Sequence, residues 1–312
     1  MIREIRGSDC QAVVALWNRC LTRDLTTEAR FAAWLFADAD FDTEHGKGAW
    51  VEESGGQIAG FVRAIRRELP NDRLGTESSL GWIPVVFVAP EHRRKGIGTE
   101  LLEKALAWLR ENGVEKVWVC GNSGSAPGYL FPGIDMDVYA DAKGLFEKCG
   151  FVTDRQAVSM TTTLLDYDPE YHEQVARRGG AGEGITIETL SPASVMNFFT
   201  FLRTSFPGDW NTAARNKVKA GDFSRVLIAW NEGEVVGYCQ WEDDGHFGPF
   251  GVAASMRGKG VGALLFLESC RRLKKTGARE VWFNWADPGA ARFYGRLGLN
   301  STRTFHVVRK DF

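Results

Sequence analysis

The chain has 312 residues, more than the ~250 at which a single core usually stops growing, so two domains are expected. With 44% hydrophobic and 25% charged residues and 11 tryptophans, it reads as a folded globular protein and not a disordered one. A net charge of −2 argues against a broadly basic nucleic-acid surface, so any anion it binds must be recognised locally.

Membrane segments and secretion are not indicated either. No apolar run approaches the ~20 residues of a bilayer span, and the first ten residues, MIREIRGSDC, lack the apolar stretch of a signal peptide. A cytoplasmic location is expected. Cys10, Cys20, Cys120, Cys149, Cys239 and Cys270 are scattered, with no CxxC pair and no zinc-type spacing to histidine. They are expected to be reduced packing residues, with no metal site.

In chain order, IREI reads as a strand, Asp9 to Leu21 and Thr27 to Phe36 as helices, and AWVEE with QIAGFVRAIRREL as a hairpin turning at Gly55 and Gly56. Next come the apolar strand WIPVVFVA, a helix over Gly96 to Asn112, the strand KVWVC, a helix near Val138 to Lys148 and closing strands from Phe151. The stretch Asp166 to Gly184 is polar and ends in glycines, the composition of a linker with room for one short helix. A second series then runs from GITIETL through the hairpin RVLIAW-NEGE-VVGYCQWE to the terminal STRTFHVVRKDF. Strands and helices intermixed in this way, with one strand-helix-strand crossover, predict an α/β or α+β domain in each half.

The two halves repeat. Arg257, Gly260 and Gly262 each follow Arg93, Gly96 and Gly98 by 164 positions, and Gly277 follows Gly113 by the same interval. The offset falls to 148 by Gly150 and Gly298, so the first copy carries 16 extra residues. They fall around GNSGSAPGYLFPGIDMD, Gly121 to Asp137, which reads as a lid or as a plain surface loop. The boundaries expected are an N-terminal domain over 1–168, a linker over 169–183 and a C-terminal domain over 184–312.

The repeated segment has a definite chemistry. Ile97, Leu101, Leu102, Ala105, Leu106 and Leu109 recur at helical spacing, so the helix starts close to Gly96 and buries one face. Its first amide hydrogens lack partners within the helix and carry about half a positive charge, which makes an anion seat. Glycines at 96 and 98 would let an oxygen approach those amides, and Arg93, Arg94 and Lys95 add charge. A Walker loop is excluded, because no GxxxxGK is followed by Ser or Thr. The dinucleotide GxGxxG fails too, because its third glycine is replaced by Leu101.

What remains is a strand, R-x-x-G-x-G and an amphipathic helix, present twice. This resembles the acetyl-coenzyme A diphosphate-binding motif of the GNAT superfamily of N-acetyltransferases, in the tandem arrangement of bacterial mycothiol synthase-like enzymes. The resemblance covers nearly the whole chain. It implies two GNAT folds, each a central mixed sheet flanked by helices, and an acetyl-CoA-dependent transfer to an amine of a small molecule or peptide by direct attack. A non-catalytic acyl-CoA-binding or regulatory module is the alternative. Carried over by position, the cofactor residues are Val86, Val88, Arg93, Arg94, Lys95, Gly96, Ile97 and Gly98 in the first copy. In the second they are Phe250, Val252, Arg257, Gly258, Lys259, Gly260, Val261 and Gly262, with the Val252 amide polarising the thioester carbonyl.

The resemblance also separates the halves. In DPGAARFYGRLGL, Asp287 to Leu299, it places Tyr294 as the general acid for the departing thiolate, although Asp287 and Leu299 depart from the family's asparagine and phenylalanine. The first copy has Phe146 at that position, which has no proton to give. Tyr139, two helical turns earlier, is the substitute there. Chemistry is therefore expected in the second domain. A carboxylate is the expected base, Glu242 of WEDDGHF first, with Asp244 and His246 behind it. Those carboxylates beside Trp241 and Trp285 would suit a cationic amine with some apolar surface.

Overall fold

The computed structural model describes residues 1–71, 74–121, 126–178 and 182–312. They form two compact units. The first contains residues 1–70, 75–158 and 303–312; the second contains 71–74 and 159–302. Neither unit stops where the sequence repeat does.

In the first unit, β1 (Ile2–Glu4), β2 (Ala49–Ser54), β3 (Gln57–Arg66) and β4 (Leu80–Val88) pair antiparallel in that order, with α1 (Cys10–Cys20) and α2 (Glu28–Leu35) between β1 and β2. α2 starts at Thr27, whose hydroxyl accepts from the Arg30 amide at 3.2 Å. After β4 the chain crosses over through α3 (Ile97–Glu111) to β5 (Lys116–Val119), which lies parallel to β4. α3 buries Leu101, Leu102, Ala105, Leu106 and Leu109, the stripe its spacing predicts, and each buried leucine contributes about 2 kcal/mol. β6 (Ile134–Asp135), α4 (Asp141–Lys148) and β7 (Val152–Thr163) follow.

The second unit contains the last residues of β7 and α5 (Pro169–Arg178), then β8 (Ile185–Thr189), α6 (Val195–Ser205) and α7 (Asp209–Lys219). β9 (Val226–Asn231), β10 (Glu234–Trp241) and β11 (Phe247–Val252) complete an antiparallel sheet ordered β8-β9-β10-β11. The crossover through α8 (Val261–Thr276) leads to β12 (Glu280–Ala286), α9 (Pro288–Arg296) and β13 (Asn300–Asp311). α9 is capped by Asp287, whose carboxylate accepts from the Gly289 and Ala290 amides at 2.7 and 2.9 Å, with Pro288 in the first turn. The departure from asparagine at 287 keeps an equally good cap.

Two boundaries differ from the sequence expectation. Residues 303–312 complete the first unit, where Arg309 and Lys310 of β13 stand opposite Trp118 and Val117 of β5. Residues 169–178 of the expected linker are a helix of the second unit, α5, tied to α8 by Arg271. Arg271 reaches Glu170 at 2.8 Å and also binds Glu173, while Tyr167 stacks on His172 with ring centres 4.9 Å apart. Residues 179–181 lie outside the described part.

All six cysteines are free thiols, four of them buried. Among the described residues, no helix is long and apolar enough to cross a membrane.

Candidate active site

The candidate site of the second unit lies where β11 and β12 part. Just before β11, His246 makes an isolated parallel bridge to Trp282 of β12. Beyond it, β11 is paired only on its β10 side. The Ala253 amide donates to the Val236 carbonyl at 2.8 Å, and alternation along an antiparallel ladder then turns the N–H and C=O of Phe250 and Val252 away from β10. Phe250 therefore turns its main-chain N–H and C=O toward the gap, and Val252 its N–H, while the Val252 carbonyl accepts from Arg257.

α8 opens at the C-terminal end of β11. Gly260 caps it with φ +79°, in the left-handed region that a β-carbon makes costly, and Gly258 just before it also has φ +79°. Its first turn carries no acidic residue. The Lys259 carbonyl accepts from the Gly182 amide at 3.0 Å, so the end of the expected linker braces the loop.

Two residues of the motif make contacts that the sequence did not predict. A β-carbon on Gly262 would stand 3.0 Å from the Phe250 ring and 3.3 Å from that of Phe293. Glycine at 262 therefore also makes room for side-chain packing. Arg257 turns its Nε back to the Val252 carbonyl at 3.4 Å, and Arg93 does the same to Val88 at 3.0 Å. The motif arginine thus closes the loop onto the strand end.

Tyr294 sits in a cage of phenylalanines, with ring centres 4.4 Å from Phe283, 4.9 Å from Phe293, 5.5 Å from Phe266 and 6.0 Å from Phe250. It keeps 6% of its surface exposed. Burial pushes its hydroxyl well above the usual phenol range.

Glu242 lies in the turn between β10 and β11, half-exposed and paired with Lys217 at 2.9 Å. That pairing occupies both carboxylate oxygens, since Oε2 also lies 3.0 Å from the same ammonium. Asp243 is held by Arg225, and Asp244 accepts from the His246 amide at 2.9 Å. His246 stands at the last contact before the gap, its ring centred 4.7 Å from that of Trp282. Burial lowers its pKa, partly offset by Asp244 and Glu242. Neutral imidazole is a ready proton acceptor.

The first unit has the same frame with different contents. The Ala89 amide bonds the Ala59 carbonyl at 2.8 Å, so alternation also turns Val86 and Val88 toward the β5 side. The Val88 carbonyl accepts from Arg93, as the Val252 carbonyl does from Arg257, and in addition from the Cys20 thiol at 3.3 Å. Gly96 caps α3 with φ +92°, and the Glu100 carboxylate lies 3.5 Å from where its β-carbon would be, an anion at the anion seat. Gly98, like Gly262, has its β-carbon space taken, here by Leu145 at 3.3 Å.

The described part of the insertion is fastened to the rest of the first unit. Gly128 lies against Ile65 and Pro84, just past Ile83, the last β4 residue paired with β5, and its carbonyl accepts from Trp34 of α2 at 3.0 Å. Asp135 holds Arg303 at 2.7 Å, and Arg303 also grips Asp24 at 2.6 and 2.8 Å. Residues 122–125 of the insertion lie outside the described part. Tyr139 is occupied too: it donates to Asp24 at 3.1 Å, accepts from the Arg23 amide at 3.3 Å, and is pushed up to about 12, chiefly by burial. Phe146 is core, edge-on to Phe151.

A strand with a free edge, a left-handed glycine and an uncapped helix start occur at corresponding places in both units. The sequence profile of the acetyltransferase (GNAT) family matches residues 10–151 and 195–299. The chain belongs to the GNAT acetyltransferase family. Two Arabidopsis thaliana proteins described as probable N-acetyltransferases, HLS1 and HLS1-like, are each 28% identical over 153 and 152 residues, 48% of this chain. The chain matches about a third of their length, 32% and 31%.

Solved structures show the GNAT fold in tandem. A GCN5-related glucosamine N-acetyltransferase region of a fungal multi-domain GH3 β-N-acetylglucosaminidase superposes with a TM-score of 0.81 at 21% identity, over 99% of this chain and 38% of that one. A GCN5-related N-acetyltransferase from Sphaerobacter thermophilus gives 0.73 at 21% identity, over 100% and 95%. A tandem GNAT protein of the clavulanic acid biosynthesis pathway gives 0.61 at 15%, over 100% and 98%.

Proposed function

We propose that the chain transfers the acetyl group of acetyl-CoA to a primary amine, and that the second unit does the chemistry. One observation carries this reading. Gap-facing main-chain groups at Phe250 and Val252, a helix start without an acidic residue at Gly260, and a tyrosine at 294 come together in the second unit. In the first unit, Glu100, the strapped insertion and Phe146 replace them. The residues of the second unit suit a diphosphate and an extended amide-containing arm, and acetyl-CoA when bound supplies the acetyl group as an activated thioester.

The chain's own residues then have distinct tasks. The α8 amides and the Gly258 to Gly260 turn hold the diphosphate. The Phe250 and Val252 main chain aligns the arm, and an outward N–H of β11 stabilises charge developing on the carbonyl oxygen. His246 takes the proton that the ammonium must lose before its nitrogen attacks. It replaces Glu242 as base, because Glu242 is committed to Lys217. As the C–N bond forms and the C–S bond breaks, Tyr294 would donate a hydrogen bond to the departing sulfur, and the second proton that the nitrogen sheds on becoming an amide would pass to that thiolate. The raised pKa of Tyr294 makes full proton transfer to a thiolate of pKa ~8.5 uphill.

The test is thiol release from acetyl-CoA over a panel of primary amines, parent against Tyr294→Phe. A lost charge-assisted hydrogen bond of about 1.5–3 kcal/mol predicts a fall in kcat of roughly 10- to 100-fold, with coenzyme A affinity retained. Unchanged turnover removes Tyr294 from the reaction.

A further inference from the structure

Gly182 stands just before β8, distant in the chain from the second R-x-x-G-x-G loop, yet its amide donates to the Lys259 carbonyl inside that loop at 3.0 Å. It is buried and has φ +79°. A β-carbon there would stand 2.2 Å from Cδ1 of Leu264, a buried residue near the start of α8. The Gly182 carbonyl is fixed as well, accepting from Ile185, the first residue of β8, at 3.1 Å. Gly182 is therefore held between the start of a strand and the head of a helix, in a conformation and a space that suit glycine.

The carbonyl it holds belongs to the peptide that enters α8. The Lys259 C=O and the Gly260 N–H share one planar trans peptide, so they point in opposite directions. Fixing the carbonyl toward Gly182 fixes the aim of that N–H, and a hydrogen bond at one end of a peptide polarises the other. Among the described residues the Gly260 N–H has no hydrogen-bond partner of its own. It adjoins the first amides of α8, which have no partners within the helix. In the first unit the corresponding Lys95 carbonyl accepts no hydrogen bond among the described residues.

We infer that Gly182 is a positioning residue for the cofactor: by holding the Lys259 carbonyl it aims the Gly260 amide at the diphosphate. The affinity of the second unit for coenzyme A then depends on a residue of the expected linker whose own amide is spent on the loop. This rests on the acetyl-transfer reading of the second unit. The dependence is reciprocal, because whatever factor the Gly182 contact adds to coenzyme A affinity, coenzyme A adds to the closure of that contact.

The experiment compares Gly182→Ala with Gly233→Ala in the full chain. Gly233 lies in the β9–β10 turn with φ +82° and open space at its β-carbon position, so its substitution carries left-handed strain without reaching the loop. Coenzyme A affinity is measured by calorimetry, and kcat/KM both with acetyl-CoA and with S-acetylpantetheine, which lacks the diphosphate. Gly182→Ala is expected to weaken coenzyme A binding and raise KM for acetyl-CoA about ten-fold, while kcat and the S-acetylpantetheine kcat/KM stay within about two-fold of the parent. Gly233→Ala should lower the unfolding midpoint and leave the affinity unchanged. A Gly182→Ala protein of parental affinity, or one that loses S-acetylpantetheine turnover to the same extent, overturns this inference alone. If that variant does not fold, amide hydrogen exchange in the parent decides. Saturating coenzyme A should slow exchange of the Gly182 amide about ten-fold while the Gly233 amide keeps its rate, and an unchanged Gly182 rate overturns the inference. A parent without coenzyme A affinity overturns the acetyl-transfer reading and this inference with it.

Discussion

The segments Arg93 to Gly96 and Arg257 to Gly260 have nearly the same backbone and different surroundings. Both arginines are extended and bond the preceding strand end, both next residues have positive φ, and both final glycines are left-handed helix caps. Around the first, a carboxylate stands at the helix start, a thiol shares the strand carbonyl, and an insertion is fastened past the last β4–β5 pair. Around the second, the helix start has no acid and the strand edge is open. A motif records the turn; the neighbours decide whether an anion can use it. Electrostatics makes this sharp, because a like charge at a helix start cancels the partial charge that would attract a phosphate.

The largest effect that would test this contrast is expected at His246. Replacing it with glutamine should lower kcat/KM on the order of 100-fold or more. It should also remove an acid limb from the pH profile. Burial lowers the His246 pKa against the opposing pull of Asp244 and Glu242, with Lys217 adding to the decrease. Activity should therefore rise as pH climbs through a value below the ordinary ~6.5 and be level above it. A parent profile with no such limb would return the base to a carboxylate.

The next test compares the two caps directly. Gly260→Ala forces a β-carbon into the left-handed region at a cost of about 1–2 kcal/mol, which would weaken coenzyme A binding about ten-fold if the loop distorts to relieve it. Gly96→Ala carries the same strain but should appear only in the unfolding midpoint. Calorimetry should give one coenzyme A per chain; two would show that the first unit binds after all.

The smallest effect is at Arg94, a residue with φ +61° where the second copy has Gly258. Arg94→Gly should raise stability by about 0.5–1 kcal/mol in urea unfolding, the left-handed strain being only partly offset by the extra freedom of glycine in the unfolded chain. A loss of stability would mean that the Arg94 side chain holds the loop.

Much of the site can be read from the chain because it is local. The α3 stripe and the repeated glycines follow from spacing over a few residues, and the positions of Val86, Val88, Phe250 and Val252 and the Phe146-for-Tyr294 exchange follow from the family resemblance carried over by position. Glu100 could have been noticed by extending the 164-residue register, which sets it opposite Leu264. The pairing of Glu242 with Lys217 was not visible. It joins residues 25 positions apart on separate elements, and nothing in WEDDGHF distinguishes a paired carboxylate from a free one.

By itself, then, the sequence determined the duplication, the order of elements in each copy and the loop that precedes each central helix, since short-range sterics and periodicity set all of these. Only the tertiary structure decided that residues 303–312 complete the first unit, that α5 belongs to the second, and that side chains crowd the β-carbon positions of Gly98 and Gly262. Strand partners and packed neighbours are chosen by contacts distant in the chain. Two strands of similar composition offer the same ladder of N–H and C=O groups, so local sequence does not say which of them will meet.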